Sequence, residues 1–110
     1  LTEQSQYGHL EEFLSPPHNR PQGIFAVADV VAMTTLRVLA ELDVAVPDQV
    51  KVIGYDGLAI SEHTVPRLST VKQDLTTGAH TLVDMLLRRI AGEETASVVL
   101  QPELVIGNST

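Results

Sequence analysis

Gly23-Ile24-Phe25-Ala26-Val27-Ala28 runs into Asp29, and Val50-Lys51-Val52-Ile53-Gly54 runs through Tyr55 into Asp56. The first run has no polar alternation, as expected of a strand buried on both faces in a parallel sheet. From Val30 to Leu42 there is neither Gly nor Pro, so this stretch reads as a helix of about three turns, with Asp29 where an N-cap belongs. Pro47-Asp48-Gln49 makes a tight turn into the second strand. Strand, helix and strand within roughly thirty residues make a β-α-β unit, whose strands are expected to be parallel. The fold class is α/β.

Working outward, Tyr7, Leu10, Phe13 and Leu14 recur at helical spacing after Thr2, a candidate N-cap. Ser15-Pro16-Pro17 ends that helix, and Pro16 to Gln22 forms a surface connection. On the other side, Leu58 to Thr64 reads as a short helix before Val65-Pro66-Arg67, and Leu68 to Val71 as a short extended piece. Asp74 is placed to cap a long helix from Leu75 to Ala91, with Gly92 at the C′ position. Its stripe of Leu75, Ala79, Leu82, Leu86 and Ile90 faces one way. Gly78 in its first turn weakens it by roughly 1 kcal/mol relative to alanine and marks a close packing contact. Val98-Val99-Leu100 and Leu104-Val105-Ile106 are two strand candidates, kept apart by Pro102.

Composition bounds the function. The 110 residues suffice for one core and not for two, and a first residue of Leu1 rather than Met leads to the expectation that the natural protein begins upstream. A hydrophobic share of 44% with 19% charged residues excludes intrinsic disorder, and no apolar run approaches the eighteen or so residues of a membrane span. The net charge of −7 repels a phosphate backbone, so any nucleic-acid role needs a second module. Absence of cysteine and of a charged, then apolar, leader fits a cytoplasmic protein and equally a trimmed export.

Ligands of open parallel sheets bind beyond the carboxyl ends of the strands, and both strands of the β-α-β unit end at an aspartate, Asp29 and Asp56. There they can accept hydrogen bonds from hydroxyl or amine groups. The plainer readings are an N-cap for Asp29 and a turn aspartate before Gly57 for Asp56. His9, His18, His63 and His80 lie in four different elements and there is no thiol, so no metal site is expected. Ser61, His63 and Asp56 lack a nucleophile elbow. With neither Gly-x-Gly-x-x-Gly nor a P-loop, no cofactor and no enzymatic activity are expected. Met33, Leu36 and Ala40 share one helix face, and Arg37, off that face, is a candidate for contact with another subunit.

Four stretches resemble the C-terminal part of the lactose-repressor (LacI/GalR) family of transcriptional regulators. They are Ile24 to Met33, Val46 to Asp56, Pro66 to Gln73, and Pro102 to Ile106 with the closing Ser109-Thr110. In this order they cover the chain from about Leu10 to Thr110. The resemblance implies an incomplete fragment of a periplasmic-binding-protein-like (type I) effector domain, its parallel-sheet β-α-β unit belonging to one of two α/β lobes. Residues 1–65 would be the second half of the C-terminal lobe, 66–97 the crossover strand and helix of the N-terminal lobe, and 98–110 the return. Partners so implied are a small-molecule effector, a sugar or related metabolite, a second copy in a homodimer, and operator DNA through a helix-turn-helix that this stretch lacks. The location implied is the cytoplasm, with no membrane. The alternative is an exported solute-binding protein of the same fold.

Carried over onto matching positions, Asp56 stands where the family aspartate contacts the effector, and Asp29 is the second residue of the family's Asn-Asp pair. Ala28 replaces the asparagine, and Leu75 stands where some members place an apolar or aromatic cleft residue. By the same resemblance Met33, Ile60, His63 and Thr64 are dimer-interface candidates, joined by Arg37 from its place on the helix.

Overall fold

The computed structural model describes residues 3–110; the expected cap at Thr2 lies outside them. In chain order the elements are α1 (Glu3–Leu14), a 3-10 turn (Pro17–Asn19), β1 (Gly23–Phe25), α2 (Asp29–Glu41) and β2 (Lys51–Asp56). A second 3-10 turn (Ala59–His63), β3 (Ser69–Lys72), α3 (Leu75–Ile90) and β4 (Glu103–Val105) follow. The strands lie in the order β1-β2-β3-β4. β1 and β2 are parallel, with Ile24 opposite Val52, and β2 and β3 are parallel, with Asp56 opposite Lys72. The β-α-β unit and its parallel pairing are as expected.

The chain divides into two compact units, one running to Lys72 and taking in Leu104–Thr110, the other Gln73–Glu103. β3 thus belongs to the first unit's sheet. β3 bonds to β2 along its whole length, and the second unit begins after it, at Gln73. The chain re-enters the first unit at Leu104.

The first unit's core joins Leu36, Val38 and Leu39 of α2 to Val50 and Val52, with Leu14 of α1, Ala26, Val44 and Leu68 closing around them. With Ala32 these make ten buried apolar side chains among the described residues, and at roughly 1.5–3 kcal/mol for each large one they are the main favourable term. Side chains alternate along a strand. Val52 and Gly54 point to α2, with Asp29 and Ala32 over Gly54, so Ile53 and Tyr55 point the other way.

Four expectations change. β1 is three residues long and Phe25 is 64% exposed, so it is not buried on both faces; α2 covers only one side of the sheet. The N-cap of α2 is Ala28, in extended conformation (φ −151°, ψ 155°), and no side chain caps there. Asp29 is instead the first helical residue, where the helix dipole favours a carboxylate. The short helix expected over Leu58 to Thr64 is of the 3-10 type and narrower, Ala59–His63, with Leu58 and Thr64 as its caps. Val98-Val99-Leu100 forms no strand, since it joins no hydrogen-bonded ladder; Leu100 lies instead against Gly78, with Cδ1 3.4 Å from where a Cβ would stand.

The second unit holds α3. The Asp74 carboxylate accepts the Thr77 N–H at 3.0 Å and the Thr77 hydroxyl at 2.6 Å, and Gly92 takes φ +87° past the end, both caps as expected. No α3 residue is buried. No helix among the described residues is long and apolar enough to cross a membrane.

Candidate functional site at the carboxyl edge of the sheet

β1 and β2 both end at the same edge, and a turn of Asp56, Gly57 and Leu58 leaves it there. Asp56 is half-buried and carries φ +128°, a conformation that side-chain-bearing residues rarely take. Gly57 follows at φ +75°, over Lys72: a Cβ on it would stand 2.6 Å from the Lys72 Cβ and 2.7 Å from its Cα. The reversal is therefore seated on β3, and only glycine fits its second position.

Asp29 is fully buried beside this turn. Its Oδ2 accepts the Leu58 N–H at 2.8 Å, and its Oδ1 accepts the Thr70 hydroxyl at 2.6 Å. Room for it comes from Gly54, where a Cβ would collide with Asp29 Oδ1 and crowd Leu68 at 3.1 Å and Ala32 at 3.2 Å. The two aspartates singled out by sequence are thus brought to one edge in different settings. Asp29 is enclosed by protein partners, and Asp56 lies on the turn itself.

Ala28, half-buried beside Asp29, offers a methyl and no hydrogen bond. Phe25, Val27 and Val30 around the end of β1 are exposed. Such an edge can take a molecule through apolar contact and through a hydroxyl or amine donated to a carboxylate. Among the described residues no three His, Cys, Asp or Glu side chains come together as metal ligands.

Leu75 opens α3 in the second unit and is exposed, one wall of a shallow hollow with Thr76, Ala79, His80 and Val83. Met33 is half-buried and packs against the core of its own unit. The Arg37 Nε donates to Glu41 Oε1 at 3.2 Å, and its guanidinium lies 5.5 Å from the Tyr7 ring centroid. Ile60 and His63 are exposed on the second 3-10 turn. The Thr64 hydroxyl is used internally, accepting the Leu68 N–H at 2.9 Å and lying 2.8 Å from the Pro66 carbonyl.

Sequence reading missed Thr70, the Leu58 amide and Lys72. One signal was available: a glycine inside β2 marks a close approach, and Gly54 is where Asp29 approaches.

The periplasmic binding protein-like domain family matches residues 2–110. The sucrose operon repressor of Streptococcus mutans is 35% identical over 85 residues, covering 77% of this chain and 27% of that protein. The HTH-type transcriptional repressor PurR of Escherichia coli is 35% identical over 104 residues, covering 93% of this chain and 30% of that one. Among solved structures, a LacI family transcriptional regulator from Arthrobacter in complex with lactose is 30% identical, with a TM-score of 0.85 over 99% of this chain and 41% of that one. The lac repressor dimer bound to operator and an anti-inducer is 26% identical, with a TM-score of 0.90 over 99% of this chain and 38% of that one. The chain spans under a third of the length of the two repressors and well under half of the two structures.

Proposed function

The chain belongs to the periplasmic-binding-protein-like family, among the LacI-type transcriptional regulators, and on that premise we propose that it is part of a repressor's effector-sensing region, with Asp56 as an effector ligand. One observation carries the role of Asp56: a non-glycine residue is held at φ +128° at the carboxyl edge of the sheet. Such strain costs of the order of 1–3 kcal/mol and clusters at ligand sites. A carboxylate held there can accept hydrogen bonds from an effector hydroxyl or amine.

The effector is a sugar or related metabolite. Relatives bind lactose, sucrose and glucose, while Ala28 makes this edge less polar than an asparagine would. Asp29 lies behind Asp56 with both oxygens used by protein donors, and Leu75, in the second unit, is the apolar candidate that the family resemblance implies. That unit, Gln73–Glu103, corresponds to the piece of the N-terminal lobe, and the first unit to the C-terminal lobe. Met33, Arg37, Ile60, His63 and Thr64 belong to the surface that meets a second copy. Operator DNA is bound through a helix-turn-helix outside these residues, in the cytoplasm. Relatives that are repressors support this regulator over an exported solute-binding protein and over an enzyme.

The test is Asp56→Ala in the intact protein, with lactose, sucrose and glucose titrated by calorimetry. The expected result is that at least one sugar binds the parent and none binds the variant, while folding and dimerisation persist. An unchanged dissociation constant reduces Asp56 to a turn residue.

A further inference from the structure

A buried acid whose two oxygens are both occupied by protein donors is poorly placed to bind an effector, and well placed to hold something else. Asp29 reaches across the sheet edge to the Leu58 N–H, two residues beyond Asp56, at 2.8 Å. The Thr70 hydroxyl, itself buried, restrains the other oxygen at 2.6 Å. Asp29, Leu58 and Thr70 sit at the start of α2, the exit of the β2 turn and the middle of β3.

The strained residue, Asp56, lies inside this bracket. Its backbone at φ +128° and that of Gly57 at φ +75° return to an ordinary extended conformation at Leu58, with φ −62° and ψ 143°. Strain of this kind persists only where the surroundings over-determine it. The Lys72 backbone closes the turn from below, and the Asp29 carboxylate pins its exit.

We infer that Asp29 is a positioning residue for the effector site: its buried carboxylate, held by Thr70, ties down the Leu58 N–H and thereby fixes the Asp56–Gly57 turn. The functional weight of the inference rests on Asp56 as effector ligand, but the tie itself can be tested without any ligand. Hydrogen bonds to a charged group are roughly twice as strong as neutral ones, so one such bond is enough to bias a two-residue turn.

The experiment compares Asp29→Asn, Asp29→Leu and Ser109→Ala in the intact, ligand-free protein by NMR, reading the HN–Hα coupling of Asp56 and amide exchange at Leu58. Asparagine keeps an acceptor for the Leu58 N–H while its amide donates to the Thr70 oxygen, so both signals stay near those of the parent. Leucine keeps bulk but accepts nothing. Its Asp56 coupling moves towards the extended range and Leu58 exchange quickens at least about tenfold, one hydrogen bond's worth. Ser109→Ala, which loses bonds to Val52 and Ser69 rather than any to Asp29, lowers stability without moving the Asp56 coupling. An Asp29→Leu coupling equal to the parent's, or the same change in Ser109→Ala, overturns the inference. If Asp29→Leu does not fold, the isosteric Thr70→Val is read in the same way: faster Leu58 exchange supports the tie, and an unchanged rate overturns it. Loss of sugar binding plays no part in these readouts, so a failed Asp56→Ala test and a failed Asp29 test are told apart.

Discussion

Ser109 is stitched to Val52 twice: the Val52 N–H donates to the Ser109 carbonyl at 2.8 Å, and the Ser109 hydroxyl donates to the Val52 carbonyl at 2.6 Å. The same hydroxyl accepts the Ser69 N–H at 2.8 Å, so one buried serine links β2, β3 and the end of the chain. Ser109→Ala leaves the Ser69 N–H without that acceptor in the interior, at a cost of about 1–3 kcal/mol. Urea unfolding is expected to show a lower midpoint with an unchanged slope; an unchanged midpoint refutes this.

Gly54 and Gly57 are expected to resist alanine for different reasons. At Gly54 the new methyl displaces the Asp29 carboxylate, so the Leu58 and Thr70 hydrogen bonds are lost together. At Gly57 it meets the Lys72 backbone at 2.7 Å and a positive φ as well, a cost of at least about 2 kcal/mol from the left-handed conformation and the collision. Denaturant midpoints for the two variants check both, and a neutral Gly57→Ala would mean that the turn re-forms elsewhere.

Asp56 offers a signed comparison between two variants that both lack the carboxylate. Because φ is +128°, Asp56→Gly is expected to be more stable than Asp56→Ala by about 1 kcal/mol. Neither binds effector. Melting temperatures in the opposite order would show that the backbone relaxes when the side chain is removed.

Leu75, Leu82, Leu86 and Ile90 of α3 are 59–74% exposed. Burying large side chains is worth roughly 1.5–3 kcal/mol each, and contiguous apolar patches of this kind mark interaction surfaces. Residues 1–110 produced alone are therefore expected to self-associate at micromolar concentration in analytical ultracentrifugation. Leu82→Glu with Leu86→Glu should weaken the association, and Met33→Glu separates helix pairing from a surface on α2. A monodisperse, cooperatively unfolding monomer would refute the expectation.

The same 110 residues carry a net charge of −7 and repel a polyanion. In a gel shift at physiological salt they are expected to give no operator band above the non-specific background. Submicromolar, sequence-dependent binding would contradict this.

Much of the fold follows from local rules and was legible in the residues. Asp74 and Gly92 cap α3 because a side-chain acceptor and a residue free to take positive φ act within one turn of the helix. The β-α-β unit follows likewise from a helix bounded by strands that must bury the same face.

The role of Asp29 could not be found that way. Its position along the chain fits a cap, yet its partners are 29 and 41 residues away, brought within reach only when β3 pairs with β2. Val98-Val99-Leu100 reads as strand and Phe25 as buried by composition, but a strand exists only where a neighbour completes its hydrogen bonds, and a strand residue is buried only where a layer covers its face. Sequence alone determined which segments are helical, which bear the sheet's carboxyl-edge aspartates and which family they resemble, because these depend on neighbours a few residues apart. Tertiary structure decided that Asp29 is enclosed and that Asp56 sits on a strained turn, because both depend on contacts across the sheet that no local spacing encodes.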